Sequence, residues 1–204
     1  MRKLENLINI YSSVNIPKSI YGAVKIVLLG DYATGKTTLK RSFMGLHLDE
    51  KYMSTLGVDL ATHKYMDEDM EITFQIWDMG GQKEFQEIRI KQYVGTEGGL
   101  LVFDKSRPET FANLNEWLEE LDSSIDYKIP LLILGNKNDL LEYEQNQLFD
   151  EQSNNFLSDF KNKFKNIDLV EYFSTCALTG NNVYDAFLRL GRIIIKKKSN
   201  EMKI

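Results

Sequence analysis

The sequence has little cysteine, little proline and no long hydrophobic run. Its 204 residues include three prolines and a single cysteine, Cys176. One cysteine excludes an intramolecular disulfide and a four-cysteine zinc site, and it favours the reducing cytoplasm as the compartment. Because no segment approaches the roughly 18 apolar residues that span a bilayer, we expect no transmembrane helix.

The two ends of the sequence lack the common signals for secretion and lipid attachment. The first residues have no apolar core of a signal peptide, and Arg2 occupies the position where myristoylation requires glycine. No cysteine lies near Ile204 for prenylation. We therefore expect no covalent lipid anchor at either end.

The composition is typical of one globular domain. Hydrophobic residues make up 43% and aromatic residues 11% of the chain, which is enough for a sizeable core. A formal net charge of −5 argues against a general nucleic-acid binder. We expect a monomer whose partners do not include nucleic acid.

Short apolar runs alternate with helical patterns along the chain. The runs predict strands at 24–29, 57–65, 70–77, 99–104, 129–135 and 169–173. Helical spacing follows the first run and recurs at 111–121 and 183–194. This alternation predicts an α/β domain with a mostly parallel six-stranded sheet and helices on both faces.

We place this domain at 23–198, between an N-terminal extension at 1–22 and a short tail at 199–204. In the extension, one helix face would be apolar, formed by Leu4, Leu7, Ile8 and Tyr11. A membrane-binding helix, packing on the domain and disorder remain open. We favour packing or disorder, so any peripheral membrane contact through this segment is expected to be weak.

The strongest motif follows the first predicted strand and has the sequence Gly30-Asp31-Tyr32-Ala33-Thr34-Gly35-Lys36-Thr37. Glycines at both ends allow a tight turn that points backbone N–H groups at phosphate oxygens. Lys36 is placed to reach the β- and γ-phosphates, and the Thr37 hydroxyl is a candidate Mg²⁺ ligand. The N-terminus of the next helix adds positive potential. We therefore predict a phosphate-binding loop.

A second motif, Asp78-Met79-Gly80-Gly81-Gln82, follows another predicted strand. Asp78 is a candidate Mg²⁺ ligand, usually through water, and Gln82 is placed to orient an attacking water. Gly81 would let the backbone approach the γ-phosphate. The alternative is a diglycine turn without chemistry, which the preceding phosphate loop disfavours. Thr55 is a candidate third Mg²⁺ ligand that would order its loop when a γ-phosphate is bound.

A third motif, Asn136-Lys137-Asn138-Asp139, follows the fifth predicted strand. The Asp139 carboxylate can accept hydrogen bonds from the ring N–H and the exocyclic amine of guanine, whereas adenine lacks this pair of donors. An unpaired buried acceptor costs about 1–3 kcal/mol, so such a site rejects ATP. The Lys137 stem would lie over the base plane. The motif therefore predicts guanine selectivity.

With these residues, the chain resembles the Ras superfamily of small GTPases, most closely its Rab branch. The five nucleotide motifs of that family have counterparts at 30–37, 55, 78–82, 136–139 and 175–178. The resemblance implies a magnesium-dependent GDP/GTP switch with effectors, exchange factors and GTPase-activating proteins as partners. It also implies that the Ala177 N–H meets the guanine oxygen.

The predicted site follows from these motifs and the resemblance. Lys36 and Gln82 are the predicted catalytic residues, and Thr37, Thr55 and Asp78 the predicted metal ligands. The predicted nucleotide contacts are Gly30, Asp31, Tyr32, Ala33, Thr34, Gly35, Lys36, Thr37, Thr38, Leu48, Thr55, Gly81, Asn136, Lys137, Asp139, Cys176, Ala177 and Leu178.

Four positions depart from the Rab pattern. Gly80 replaces the usual alanine and Cys176 the usual serine, and both resemble Arf proteins and Gα subunits instead. Leu48 stands where the family has an aromatic ring against guanine, so we expect weaker nucleotide retention. Tyr32 occupies a position of small residues and would crowd an arginine supplied by an activating protein.

The sequence thus predicts a GTP-binding and GTP-hydrolysing regulatory switch with a slow intrinsic rate. An alternative is a GTP-bound adaptor with negligible hydrolysis, which Tyr32 favours and Gln82 disfavours. A third hypothesis is an ATP-using enzyme such as a small kinase. The motif at 136–139 disfavours it, because that motif predicts guanine selectivity.

Overall fold

The structure is a computed structural model that describes residues 20–47, 55–66, 70–160 and 163–201. The predictions for the N-terminal helix face and for Leu48 lie outside these residues.

Six strands within the described residues form a single sheet with the order β2-β3-β1-β4-β5-β6. Adjacent strands run parallel, except that β2 is antiparallel to β3. The predicted mostly parallel six-stranded sheet is therefore confirmed. The strands are Ile20–Leu29 (β1), Val58–Met66 (β2), Met70–Met79 (β3), Gly98–Asp104 (β4), Ile129–Asn136 (β5) and Ile167–Ser174 (β6).

Helices cover both faces of the sheet, as predicted. One buried cluster packs α1 and α6 against the sheet, and the other packs α4 and α5 against the opposite face. The α-helices are Lys36–Phe43 (α1), Gln86–Gln92 (α2), Pro108–Ala112 (α3), Leu114–Ser124 (α4), Tyr143–Phe160 (α5) and Val183–Glu201 (α6).

Element boundaries differ from the predictions at several places. Strand β1 begins at Ile20, four residues before its predicted start, because its first residues pair with the start of β3. Helix α5 was not predicted, since polar residues separate its partly buried aromatic residues Phe149, Phe156 and Phe160. Helix α6 continues past Ile194 to Glu201.

An aromatic cluster fixes α1 and α6 on the sheet. The Phe43 ring stacks on Phe187 with centroids 4.1 Å apart and meets the edge of Phe74 at 5.1 Å. All three side chains are fully buried. Because α1 begins directly after the phosphate loop, this packing positions that loop. In the described part of the chain, no helix is long and apolar enough to cross a membrane.

We expect Phe43→Ala to lower the free energy of unfolding by about 3–5 kcal/mol, because it removes a ring from a packed core. Chemical denaturation followed by circular dichroism measures this change. The control is Leu46→Ala, three residues away on a half-exposed side chain, which should change the free energy by less than about 0.5 kcal/mol. Equal effects of the two substitutions would contradict the packing role.

Candidate nucleotide-binding site

The three predicted motifs meet at the carboxyl edge of the sheet. The phosphate loop follows β1, Asp78 lies at the end of β3, and Asn136 ends β5. Parallel strands place their carboxyl ends at one edge, where ligands of open α/β sheets bind. The site is thus built on rigid strand ends and the loops that leave them.

The phosphate loop has the backbone of a tight anion cradle. Gly30, Ala33 and Gly35 all have positive φ angles, of 131°, 61° and 97°. The Lys36 side chain folds back over the loop, and its ammonium donates hydrogen bonds to the carbonyls of Gly30 (2.7 Å) and Asp31 (2.8 Å). The cation is therefore held at the mouth of the cradle.

The Lys36 ammonium is buried, and its environment is strongly polar. Burial lowers its pKa to about 8, although the carboxylates of Asp78 and Asp31 act in the opposite direction. A polyphosphate would add several negative charges beside it and favour the protonated form. The location suits a cation that binds phosphate.

The three predicted metal ligands converge, although they come from separate parts of the chain. The Thr37 hydroxyl donates to Asp78 Oδ2 at 2.6 Å and lies 2.7 Å from the Thr55 hydroxyl. Thr55 Oγ1 is 3.5 Å from the same carboxylate oxygen. Two hydroxyls and a carboxylate thus form one small oxygen cluster beside the phosphate loop.

This oxygen cluster fits Mg²⁺. Asp78 is fully buried, and within the described residues its second oxygen, Oδ1, has no hydrogen-bond partner. Burying such an oxygen unpaired is costly. Carboxylate and hydroxyl oxygens next to phosphates are the ligands that Mg²⁺ prefers. The donor set therefore accommodates the ion that the sequence predicts.

Gly80 and Gly81 allow the loop after β3 to lie against two neighbours. A Cβ on Gly81 would lie 2.4 Å from the backbone nitrogen of Tyr32, and one on Gly80 would lie 2.8 Å from the carbonyl oxygen of Gly57. The Gly80 N–H donates to that same carbonyl at 2.7 Å. A side chain at Gly81 would push this loop away from the phosphate loop, and one at Gly80 would push it away from the segment of Thr55 and Gly57.

Arg89, which sequence reasoning missed, holds the backbone beside Gln82. Its guanidinium donates to the carbonyls of Gly80 (2.9 Å) and Gln82 (2.6 Å) and forms two hydrogen bonds with Glu120. The group is buried and stacks on Trp117 at 4.5 Å. Its pKa is raised, because the bonds to Glu120 outweigh the effect of burial.

Asn136 joins the phosphate loop to the loop that follows β6. Its amide donates to the Thr34 carbonyl at 2.9 Å, and its side-chain oxygen accepts from the Ala177 N–H at 3.1 Å. The side chain is buried. Asn136 is therefore a structural link between these loops, and its contact with a nucleotide stays a prediction.

A cavity of about 130 Å³ lies beside the Asn136 side chain. The Lys137 ammonium at its edge is held by Asp104 Oδ2 at 2.6 Å, and Asp139 is exposed on its rim. Cys176 and Ala177 are buried, whereas Leu178 is 67% exposed. The cavity is lined by Gly35, Thr38, Asn136, Lys137, Asp139, Leu140, Ala177 and Leu178.

The phosphate cleft and this cavity lie next to each other. Gly35 and Thr38 line both, and the cleft also includes Ala33, Lys36 and Thr55. A ligand with phosphates in the cradle would therefore place a base in the cavity. The contacts that each residue makes with a nucleotide stay predictions.

Sequence reasoning also missed the side chains that hold Asp31 and Tyr32. Asp31 accepts from the Trp117 indole N–H (2.7 Å) and from the Asn113 amide (2.8 Å). Arg107 donates to the Tyr32 carbonyl at 2.7 Å. Nothing in the local sequence of Trp117 shows that its side chain bonds to a loop 86 residues away. The Tyr32 side chain is 42% exposed.

Comparison with known proteins agrees with the geometry. The family model described as "Ras family" matches residues 25–196. Ras-related protein RABG3f of Arabidopsis thaliana is 30% identical over 182 residues, which cover 87% of this chain and 85% of that protein. Ras-related protein Rab7 of Cenchrus ciliaris is 31% identical with the same coverage. Ras-related protein RABA1c of Arabidopsis thaliana is 35% identical over 180 residues, 87% of this chain and 79% of that protein.

The family of the chain follows from the sheet, the converging motifs and these matches. The chain belongs to the Ras family, as a divergent, Rab-like small GTPase of the Ras superfamily.

Proposed function

We propose that this protein is a magnesium-dependent regulatory switch that binds GTP, hydrolyses it slowly to GDP and changes the order of two loops between the two states. The convergence of Thr37, Thr55 and Asp78 carries the proposal, because it joins the phosphate loop to both predicted switch loops at a single oxygen cluster. A loop held there through Thr55 depends on what the cluster binds.

In the proposed reaction, Lys36 and the N–H groups of the phosphate loop stabilise negative charge on the β- and γ-phosphates. Gln82 orients the water that attacks the γ-phosphorus, and the bond to the β–γ bridging oxygen breaks to leave GDP and phosphate. Thr37, Thr55 and Asp78 would hold Mg²⁺, which supplies further charge neutralisation. Arg89 keeps the backbone of Gln82 in place.

A slow intrinsic rate is part of the proposal. An arginine at the γ-phosphate is worth about 10³–10⁵ in rate, and Arg107, the arginine that contacts the phosphate loop at Tyr32, is engaged by Asp104 at 3.0 Å. We propose that an activating protein supplies this charge. Tyr32 lies beside Gly81 at the entrance and would hinder such an insertion.

The adaptor reading remains a second candidate because of Tyr32. Its backbone touches the loop that carries Gln82, and its side chain is 42% exposed at the mouth of the site. If this side chain displaces the attacking water, the protein would retain GTP without converting it.

The proposed partners follow from the family. GTP and GDP are the ligands. Effectors would bind the exposed apolar residues beside the two loops, which are Leu56, Leu60 and Ile88. Exchange factors and activating proteins would set the nucleotide state. We propose a cytoplasmic monomer without nucleic-acid partners, with at most weak peripheral membrane contact.

We expect the purified protein, loaded with GTP and Mg²⁺, to convert it to GDP slowly in a single turnover. Gln82→Leu should reduce this rate by about a hundredfold or more while GTP binding is retained, because the attacking water is no longer oriented. Nucleotide analysis by chromatography measures both quantities. Unconverted GTP in the wild-type protein would establish the adaptor reading instead, and Tyr32→Gly would then test its cause.

We expect Asp139→Asn to weaken GDP binding by about 1–3 kcal/mol, or about fivefold to 150-fold, because an acceptor of two guanine N–H groups becomes partly a donor. Competition with a fluorescent GDP measures the change. The control is Asp126→Asn, an aspartate outside the site. Excess ATP should not compete with the wild type; effective competition by ATP would defeat the guanine assignment.

We expect Arg89→Lys to slow single-turnover hydrolysis about tenfold with unchanged GTP affinity, because misplacing a catalytic group by a fraction of an ångström is costly. Lysine keeps a charge for the buried Glu120 but cannot also donate to both loop carbonyls. Lys83→Met, on a side chain that is 92% exposed in the same segment, is the matched control. An unchanged rate in Arg89→Lys would remove its positioning role.

A further inference from the structure

A buried lysine lies next to the oxygen cluster and has no place in the predicted chemistry. Lys40 is on α1, one turn after Thr37, and its residue is only 3% exposed. Its ammonium is 2.5 Å from Asp59 Oδ2 and 3.2 Å from Asp78 Oδ2. Asp78 is the carboxylate that the proposed function assigns to Mg²⁺.

The two aspartates stand directly opposite each other on adjacent strands. Asp59 of β2 is paired with Asp78 of β3 in the antiparallel register. Like charges in directly opposed positions destabilise a sheet. The Lys40 ammonium lies between them and offsets this repulsion, so three charged groups from α1, β2 and β3 form one unit with a net charge of −1.

The members of this unit differ greatly in their access to water. The side chain of Asp59 is 62% exposed, that of Lys40 is 4% exposed, and Asp78 is fully buried. The buried ammonium therefore acts on the buried carboxylate through a medium of low effective dielectric, where charge interactions are stronger than at the surface. The exposed carboxylate can be changed without leaving a cavity.

We infer that Lys40 and Asp59 set the magnesium affinity of the nucleotide site, with opposite signs. The Lys40 cation lies beside the Asp78 carboxylate, repels a metal ion bound there and so lowers its affinity. Asp59 binds the Lys40 ammonium and thereby weakens this repulsion. Both are positioning residues that act through Asp78. Since Asp59 lies four residues after Thr55, the unit also makes metal binding sensitive to where the Thr55 loop and β2 lie. This inference rests on the proposed function.

The test measures the release of fluorescent GDP from the full-length protein as a function of free Mg²⁺. We expect Lys40→Met to lower the Mg²⁺ concentration for half-maximal retention about tenfold and Asp59→Asn to raise it about tenfold, given charges a few ångströms apart. The double variant should resemble Lys40→Met, because Asp59 acts through the ammonium that this variant lacks, whereas Lys40→Arg should remain close to the wild-type value. A purely structural role would move both single variants toward weaker retention.

A neighbouring ion pair provides the matched control. Lys64 and Glu71 lie on β2 and β3, 2.7 Å apart, so Lys64→Met and Glu71→Gln remove the same kinds of charge from the same hairpin. Neither should shift the Mg²⁺ dependence. Shifts of the same sign in Lys40→Met and Asp59→Asn, or no shift in Asp59→Asn, would overturn the inference. Failure of the wild-type protein to retain GDP at any Mg²⁺ concentration would instead overturn the proposed function itself.

Discussion

The Asp78 carboxylate is the group on which the site depends. A fully buried carboxylate is unfavourable unless cations and hydrogen-bond donors surround it. Here the donors are Thr37 and Lys40, both on α1, and Thr55. Satisfying this one charge therefore requires α1 and the Thr55 loop to meet at the end of β3. The same meeting places the phosphate loop beside both predicted switch loops.

The phosphate loop is held from outside as well as by its own turn. Asn136 binds the Thr34 carbonyl, Trp117 binds Asp31, and Arg107 binds the Tyr32 carbonyl. Asn136 and Trp117 lie on β5 and α4, which pack in the core, and Arg107 lies in the short connection between β4 and α3. A cradle that is held in this way loses little conformational freedom when phosphates bind, so more of the interaction energy remains as affinity.

The sequence predicts the sheet and the convergence of motifs because both depend on local signals. Apolar runs predict the strands, and the motifs directly follow these runs. Because parallel strands place their carboxyl ends at one edge of the sheet, Gly30, Asp78 and Asn136 come together there. The braces depend on contacts between residues far apart in sequence. Nothing near Trp117 or Lys40 indicates a partner on another element, and polar residues separate the partly buried aromatic residues of α5. Such pairings are set by packing, which a local pattern does not encode.

Gly80 shows how one departure from the Rab pattern follows from this packing. The Gly80 N–H binds the Gly57 carbonyl at 2.7 Å, and a Cβ there would lie 2.8 Å from that oxygen and 3.0 Å from the Thr55 carbonyl. An alanine would therefore push the Thr55 loop outward, away from the Thr37 hydroxyl at 2.7 Å. In this chain glycine permits a closer approach of the two loops at Asp78. The residue that resembles Arf and Gα proteins is thus a consequence of how tightly this oxygen cluster is assembled.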